Sequence, residues 1–319
     1  MKKTILCLVL FYCIGTGLGH VPVIAGDNER LEMATLIHDP LKSWVIYDEL
    51  HKAGEAHYFQ FHLQQGQKLH VSLFTPGKNN FTPTLVVMGP GISSRGTIPG
   101  YIEIPGDAGV LVVKSRYPGK ASYEPFTPAA HYNVIDMDMV VNETGTYYIA
   151  VYEPSLRGSY GLAIGYREEF GFMEWICVPW DVITIHLWEG QPPGYIFAPM
   201  LAVLVIGLFF LNHIRNNLFG WIGYFAGLFY IGGSAMTMMQ MLIALSRAAP
   251  TSQVLITLFF VIVPIIAGIV IIRIATQERI DPKTRVTMTL LGIVGLFTWA
   301  GLIIGPVLAI VASVLPSAK

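Results

Sequence analysis

The chain has 319 residues, of which 53% are hydrophobic and only 13% charged, and its mean hydropathy is +0.54 with a formal net charge of −1. A soluble domain carries about a quarter charged residues, so an ordinary soluble protein is excluded, and the absence of a basic excess argues against nucleic acid as a partner. Only Cys7, Cys13 and Cys177 are present, which excludes a disulfide framework and a CxxC metal or redox site.

Met1–Gly19 starts with Lys2 and Lys3, continues through an apolar core, Ile5–Ile14, and ends in small residues. That layout predicts a secretory signal peptide. Cleavage after Gly19 leaves His20 as the new N-terminus, whereas cleavage after Ala25 satisfies the small-residue rule through Val23 and Ala25.

From residue 26 to 170 there are 16 acidic and 11 basic residues, a net of −5. That balance fits neither nucleic acid nor an anionic lipid surface. Short runs rich in β-branched and aromatic residues follow one another, broken by Gly, Pro and Asn: His57–Leu63, Lys68–Phe74, Thr84–Met88, Val110–Lys114, Val134–Val140, Gly145–Tyr152 and Ser159–Tyr166. The spacing predicts an antiparallel β-sandwich. Within Ala56–His62 the period is two, with His57, Phe59 and Phe61 opposite Tyr58, Gln60 and His62. The unbroken runs Leu85–Val87 and Gly109–Val113 predict strands covered on both faces.

Several motifs here occur in a telling order: Tyr58-Phe59-Gln60-Phe61, Gly66-Gln67-Lys68-Leu69, Leu73-Phe74-Thr75-Pro76, Pro83-Thr84-Leu85, Thr144-Gly145-Thr146-Tyr147-Tyr148-Ile149-Ala150-Val151 and Gly158-Ser159-Tyr160-Gly161-Leu162. In that order they resemble the PPC (pre-peptidase C-terminal-like) β-sandwich family over about Ala53–Gly165. The resemblance implies a jelly-roll-like module of the kind attached to secreted and cell-surface proteins. Arg116–His131 departs from it as a longer, Pro-rich loop.

Residues 171–193 hold Trp175, Trp180 and Trp188 among Glu174, Asp181 and Glu189, with breaks at Pro179, Pro192 and Pro193. Tryptophans at this density predict a connector lying in the headgroup layer; the alternative is an additional strained or re-entrant span. Residues 194–316 then contain four apolar runs, Gly194–Leu211, Phe219–Leu245, Val254–Ile272 and Val286–Leu315, none with an Asp, Glu, Lys or Arg. A membrane-crossing helix needs about 20 mostly apolar residues, so a bundle of four spans is expected. Arg215, Arg273, Arg279, Lys283 and Arg285 fall in the two loops on one side, against Arg247 and Lys319 on the other. The positive-inside rule then sets the β-rich half outside the cytoplasm.

The spans carry no ionisable group that would mark a transport path. Gly223 with Gly227, and Gly301 with Gly305, are four apart and permit close helix approach. Met236, Met238, Met239 and Met241 surround Gln240; thioethers bind Cu(I), but methionine is also an adaptable core filler. Seven of the nine histidines, His20, His38, His51, His57, His62, His70 and His131, lie in the β-rich half. A copper site would use the amine and ring of His20 with His57, His62, His70 or His131. Asp136 and Asp138 share a strand face and would suit calcium or form an exposed acidic face. Asn80 and Asn142 begin N-glycosylation sequons.

No nucleophile constellation, phosphate loop or basic nucleic-acid patch occurs, so catalysis has no positive support and no cofactor is expected. The expected protein is therefore a non-catalytic, membrane-anchored surface module that binds or senses a protein, glycan or small ligand, open to oligomerisation. Its contact surface is placed on Tyr117, Tyr123, Phe126 and Tyr132, because loops between strands usually carry recognition. Copper handling and a transporter or channel subunit relying on Thr237 or Gln240 are the alternatives.

Overall fold

The computed structural model describes residues 20–77, 80–106, 108–211, 217–277 and 280–316. The expected signal peptide and the loop residues Arg215, Arg279 and Lys319 lie outside these residues. The chain divides into two compact units. One is built from strands up to Gly171; the other contains the helices from Phe172 onward together with the segment Tyr123–Ala129.

Among the described residues of the first half there are eleven strands: β1 (Val21–Ile24), β2 (Thr35–Ile37), β3 (Trp44–Leu50), β4 (Ala56–Leu63), β5 (Lys68–Thr75), β6 (Thr84–Gly89), β7 (Gly109–Val113), β8 (Ser122–Glu124), β9 (Ala129–Val140), β10 (Gly145–Tyr152) and β11 (Gly158–Ile164). They make a six-stranded sheet, in the order β1-β3-β11-β5-β9-β8, and a five-stranded sheet, β2-β4-β10-β6-β7. All seven expected strands are present. Two pairings correct the purely antiparallel expectation, since β1 runs parallel to β3 and β2 parallel to β4. These are early, short strands, added at the sheet edges with little periodicity of their own.

The period of two in β4 sends Phe59, Phe61 and Leu63 into one core with Leu69, Val71 and Leu73 of β5, Tyr147 and Ile149 of β10, and Tyr160 and Leu162 of β11. Alternation alone would leave Tyr58, Val86 and Met88 on the outer face of the smaller sheet. They are buried there instead, beneath Ile98, Ile102 and Ala108. Leu85–Val87 is accordingly covered on both faces, as its unbroken apolar run requires.

Six helices are described in the second unit: α1 (Phe172–Trp188), α2 (Pro193–Leu208), α3 (Leu218–Leu245), α4 (Val254–Ala275), α5 (Pro282–Phe297) and α6 (Ile304–Val314). Among the described residues, only α3 and α4 are long and apolar enough to cross a membrane singly. The first and last runs therefore do not form the simple spans expected. α2 has 16 residues, about 24 Å at 1.5 Å per residue, short of a hydrocarbon core of about 30 Å. The run Val286–Leu315 is bent by 119° between α5 and α6. Counted as one broken span, that pair brings the candidate spans to three. The break is at Trp299–Ile303, where Trp299, Gly301, Leu302 and Ile303 all have positive φ, between 50° and 68°. Glycine adopts that region readily, but the other three side chains are strained there.

Small residues bring the helices together. A Cβ on Gly227 would lie 2.7 Å from the Gly268 carbonyl oxygen, and one on Gly305 would lie 2.6 Å from the Tyr230 ring. Gly223 faces Ala275 and Met288. Gly301 belongs to the turn between helices, not to a helix as its spacing from Gly305 suggests, and it meets the backbone of Phe229.

Candidate functional site

Within the helical unit, α1 and the residues after it carry an ionisable pair. His186 lies on the last turn of α1 and Glu189 just beyond it, three residues apart, and both side chains are 2% exposed. His186 Nδ1 is 2.9 Å from Glu189 Oε2. An ionised carboxylate only accepts, so Nδ1 carries the hydrogen, and in the neutral ring Nε2 then keeps a lone pair. That buried Nε2 has no hydrogen-bond partner among the described residues. Gln191 links the pair to α3: its Nε2 donates to Glu189 Oε2 at 3.2 Å and to Gln240 Oε1 at 2.9 Å, and Gln240 Nε2 donates back to Gln191 Oε1 at 2.8 Å.

His186 and Gln240 line a cavity of about 80 Å³ whose wall is otherwise largely apolar, with Phe126, Met236, Phe260 and Trp299 prominent. The strained turn from Trp299 to Leu302 forms part of the wall. Trp299 is held there by stacking on Phe260, with ring centroids 4.9 Å apart, and by donating its indole N–H to the Trp175 carbonyl at 2.9 Å. Opposite, Thr257 Oγ1 donates to the Pro125 carbonyl at 2.7 Å and lies 2.7 Å from the Tyr123 hydroxyl. An apolar cavity with a few convergent polar groups is the usual form of a small-ligand site.

The two-sheet unit has a second cluster at the turn from β3 to β4. His57 Nδ1 is 2.7 Å from Asp48 Oδ2 and 3.0 Å from the Tyr160 hydroxyl, which donates to Asp48 Oδ2 at 2.9 Å. His57 Nε2 faces Glu55 Oε1 at 3.4 Å, and His51 Nδ1 lies 3.8 Å from the same oxygen. Burial alone would depress His57, but its hydrogen bond and attraction to Asp48, reinforced by Glu55, hold its pKa above the ordinary value. For Asp48, burial acts upward and is outweighed by His57 and by the Glu49 amide, leaving the carboxyl below its usual range. Desolvation, then the Asp48 charge, pushes Tyr160 well up.

The residues singled out from sequence are placed differently from one another. Tyr123 and Tyr132 are buried, Tyr117 stacks on Tyr132 with centroids 5.3 Å apart, and Phe126 is half-buried on the cavity wall. Of these four, Tyr123 and Tyr132 are thus largely withdrawn from the surface, whereas Tyr117 and Phe126 keep part of theirs. His20 Nδ1 sits against Ser43 Oγ, His62 is exposed, His70 meets Asp138 and His131 stacks on Phe74. Asp136 is exposed, whereas Asp138 is held by Lys68 and His70 at 2.9 Å each. Asn80 and Asn142 are both exposed. Met236 lines the cavity, while Met238 and Met239 lie at other positions round α3.

Sequence reasoning passed over His186 and Glu189 because it sought ionisable groups only inside the four apolar runs. Their i, i+3 spacing at the C-terminal end of α1 was the available signal. It also passed over His51 and Glu55, whose spacing with His57 matches no familiar ligand motif. No protein-family model matches this chain, and no curated protein matches it.

Proposed function

We propose that this is a multi-pass membrane protein with a jelly-roll-like, PPC-like head outside the cytoplasm, and that it binds or senses a small lipid-soluble molecule in the cavity beside His186. The observation that carries the reading is the buried Nε2 acceptor at an apolar cavity, oriented by Glu189. A buried polar atom without a partner costs about 1–3 kcal/mol, and a ligand donating one hydrogen bond recovers that energy. An engineered apolar cavity of about 150 Å³ accepts benzene. The present space therefore suits a few atoms, or the polar end of a longer alcohol or amide. The strained turn on the wall supports the same reading, because strain of this kind gathers at ligand sites.

The test is thermal unfolding of the detergent-purified full chain with 1-hexanol or a methyl ether of equal length. The alcohol is expected to raise the midpoint and the ether not, and His186→Phe is expected to abolish the difference. Equal shifts from both compounds, or a difference that survives in His186→Phe, reject the proposal. Orientation is tested separately: protease added outside intact cells should cut the head.

A further inference from the structure

The cluster on the β3–β4 turn sets two carboxylates against the two ring nitrogens of His57. Asp48 accepts at His57 Nδ1, and the other ring nitrogen points at a second carboxylate oxygen, Glu55 Oε1. Glu55 is itself pinned. Its Oε2 accepts from the amides of His51 at 2.5 Å and Lys52 at 2.9 Å, and the residue is 4% exposed. With neutral imidazoles the group holds two carboxylates and a ring lone pair aimed at one of them, which is repulsive unless a cation stands between.

A proton on Nε2 is one such cation, but a charge-assisted N–H···O bond runs about 2.7–2.9 Å, and the separation here is 3.4 Å. The distances fit a different arrangement. Zinc bonds of about 2.0–2.2 Å in tetrahedral geometry put neighbouring donor atoms about 3.3–3.5 Å apart. His57 Nε2 and Glu55 Oε1 are 3.4 Å apart, and His51 Nδ1 is 3.8 Å from the same oxygen. The donor atoms of His51, Glu55 and His57 all lie within 4.8 Å of one another, the one such group of three among the described residues.

From this geometry we infer that His51, Glu55 and His57 form a binding site for a zinc-type divalent ion. Two imidazoles and a carboxylate are a common zinc donor set, with the fourth position left to solvent. Asp48 plays the supporting part found beside most metal-bound histidines. It holds Nδ1–H and thereby turns the Nε2 lone pair to the metal, and it is fixed in turn by Tyr160 and the Glu49 amide. Glu55 and His57 are buried and pre-set, whereas the His51 side chain is 71% exposed and gives the ion a way in. The turn is held for this purpose by Gly54, which takes φ 75° and donates its amide to the Glu153 carbonyl at 3.0 Å. The site is independent of the cavity beside His186.

The test uses full-length protein in detergent, stripped with chelator and titrated with Zn²⁺ and with Co²⁺, whose visible spectrum reports tetrahedral coordination. One tight ion per chain is expected, with the intense bands of a four-coordinate cobalt site. His51→Ala, at an exposed position that leaves the fold intact, and Glu55→Gln should each weaken binding by about 100-fold or more, and Asp48→Asn by about 10–100-fold. His62→Ala should bind as the unaltered chain does. Zinc binding that is undiminished in His51→Ala, or six-coordinate cobalt spectra, or no uptake by the unaltered chain, overturns the inference. If Glu55→Gln fails to fold, His51→Ala decides alone.

Discussion

In the two-sheet unit the bulkiest apolar side chains, Phe59, Phe61, Tyr147 and Tyr160, lie wholly inside. In the helical unit Leu242, Leu255, Ile266 and Val205 are more than half exposed, and the interior is filled to a large extent by Gly and Ala. Burial in the first unit is driven by water's rejection of apolar surface. Helices whose surroundings are hydrocarbon have no such drive, so close backbone approach and interhelical hydrogen bonds decide their packing. The same apolar residue is therefore structural in one unit and mere surface in the other.

The sharpest way to break this comparison is truncation on each side of it. Phe61→Ala should cost the two-sheet unit about 3–5 kcal/mol, read as faster proteolysis of the head within the full-length protein. Leu255→Ala should change stability by less than about 0.5 kcal/mol, although it removes a side chain nearly as large. Equal costs would remove the distinction between the two solvents.

Next in size is added bulk. Gly301→Ala should cost about 3 kcal/mol, because a Cβ would lie 2.5 Å from the Phe229 carbonyl carbon and oxygen, on a residue at φ 55°. Loss of monodisperse protein in detergent, compared with a neutral Gly194→Ala where nothing lies within 4 Å, measures it. Tyr123→Phe is milder, about 1 kcal/mol. It deletes one hydroxyl partner of Thr257, which still donates to Pro125; the unfolding midpoint of the full chain reports the difference.

The smallest effect is a surface one. Hydrogen bonds from Lys68 and then His70 hold the Asp138 carboxyl below its ordinary value, which is about 3.9. A group depressed on folding stabilises above its unfolded pKa, and that stabilisation is lost as the pH falls through the lower, folded value. The midpoint difference between the unaltered chain and Asp138→Asn should therefore be present at pH 6 and vanish in strong acid. It should also shrink with added salt, because the pair is exposed.

Much of this architecture was readable one residue at a time. Period-two runs such as Ala56–Leu63 declare which face is buried, and uncharged stretches such as Val254–Ile272 declare their aversion to water, since each depends on local spacing and solvent preference alone. The parallel edge strands β1 and β2 carried no such spacing, and the break at Trp299 has no proline to announce it. The burial of Tyr123 and Tyr132 was hidden for a related reason: sequence shows that a loop is aromatic, but not what packs over it.

Local chemistry thus determined which segments are charged enough for water, which are apolar enough to span a membrane, and where strands alternate. Only the tertiary structure decided that His186 meets Glu189 at a cavity wall shared with Trp299 and Phe126, and that His51, Glu55 and His57 converge on one point above Asp48. Such sites depend on distances between side chains that the backbone path brings together, and no periodicity in the chain encodes those distances.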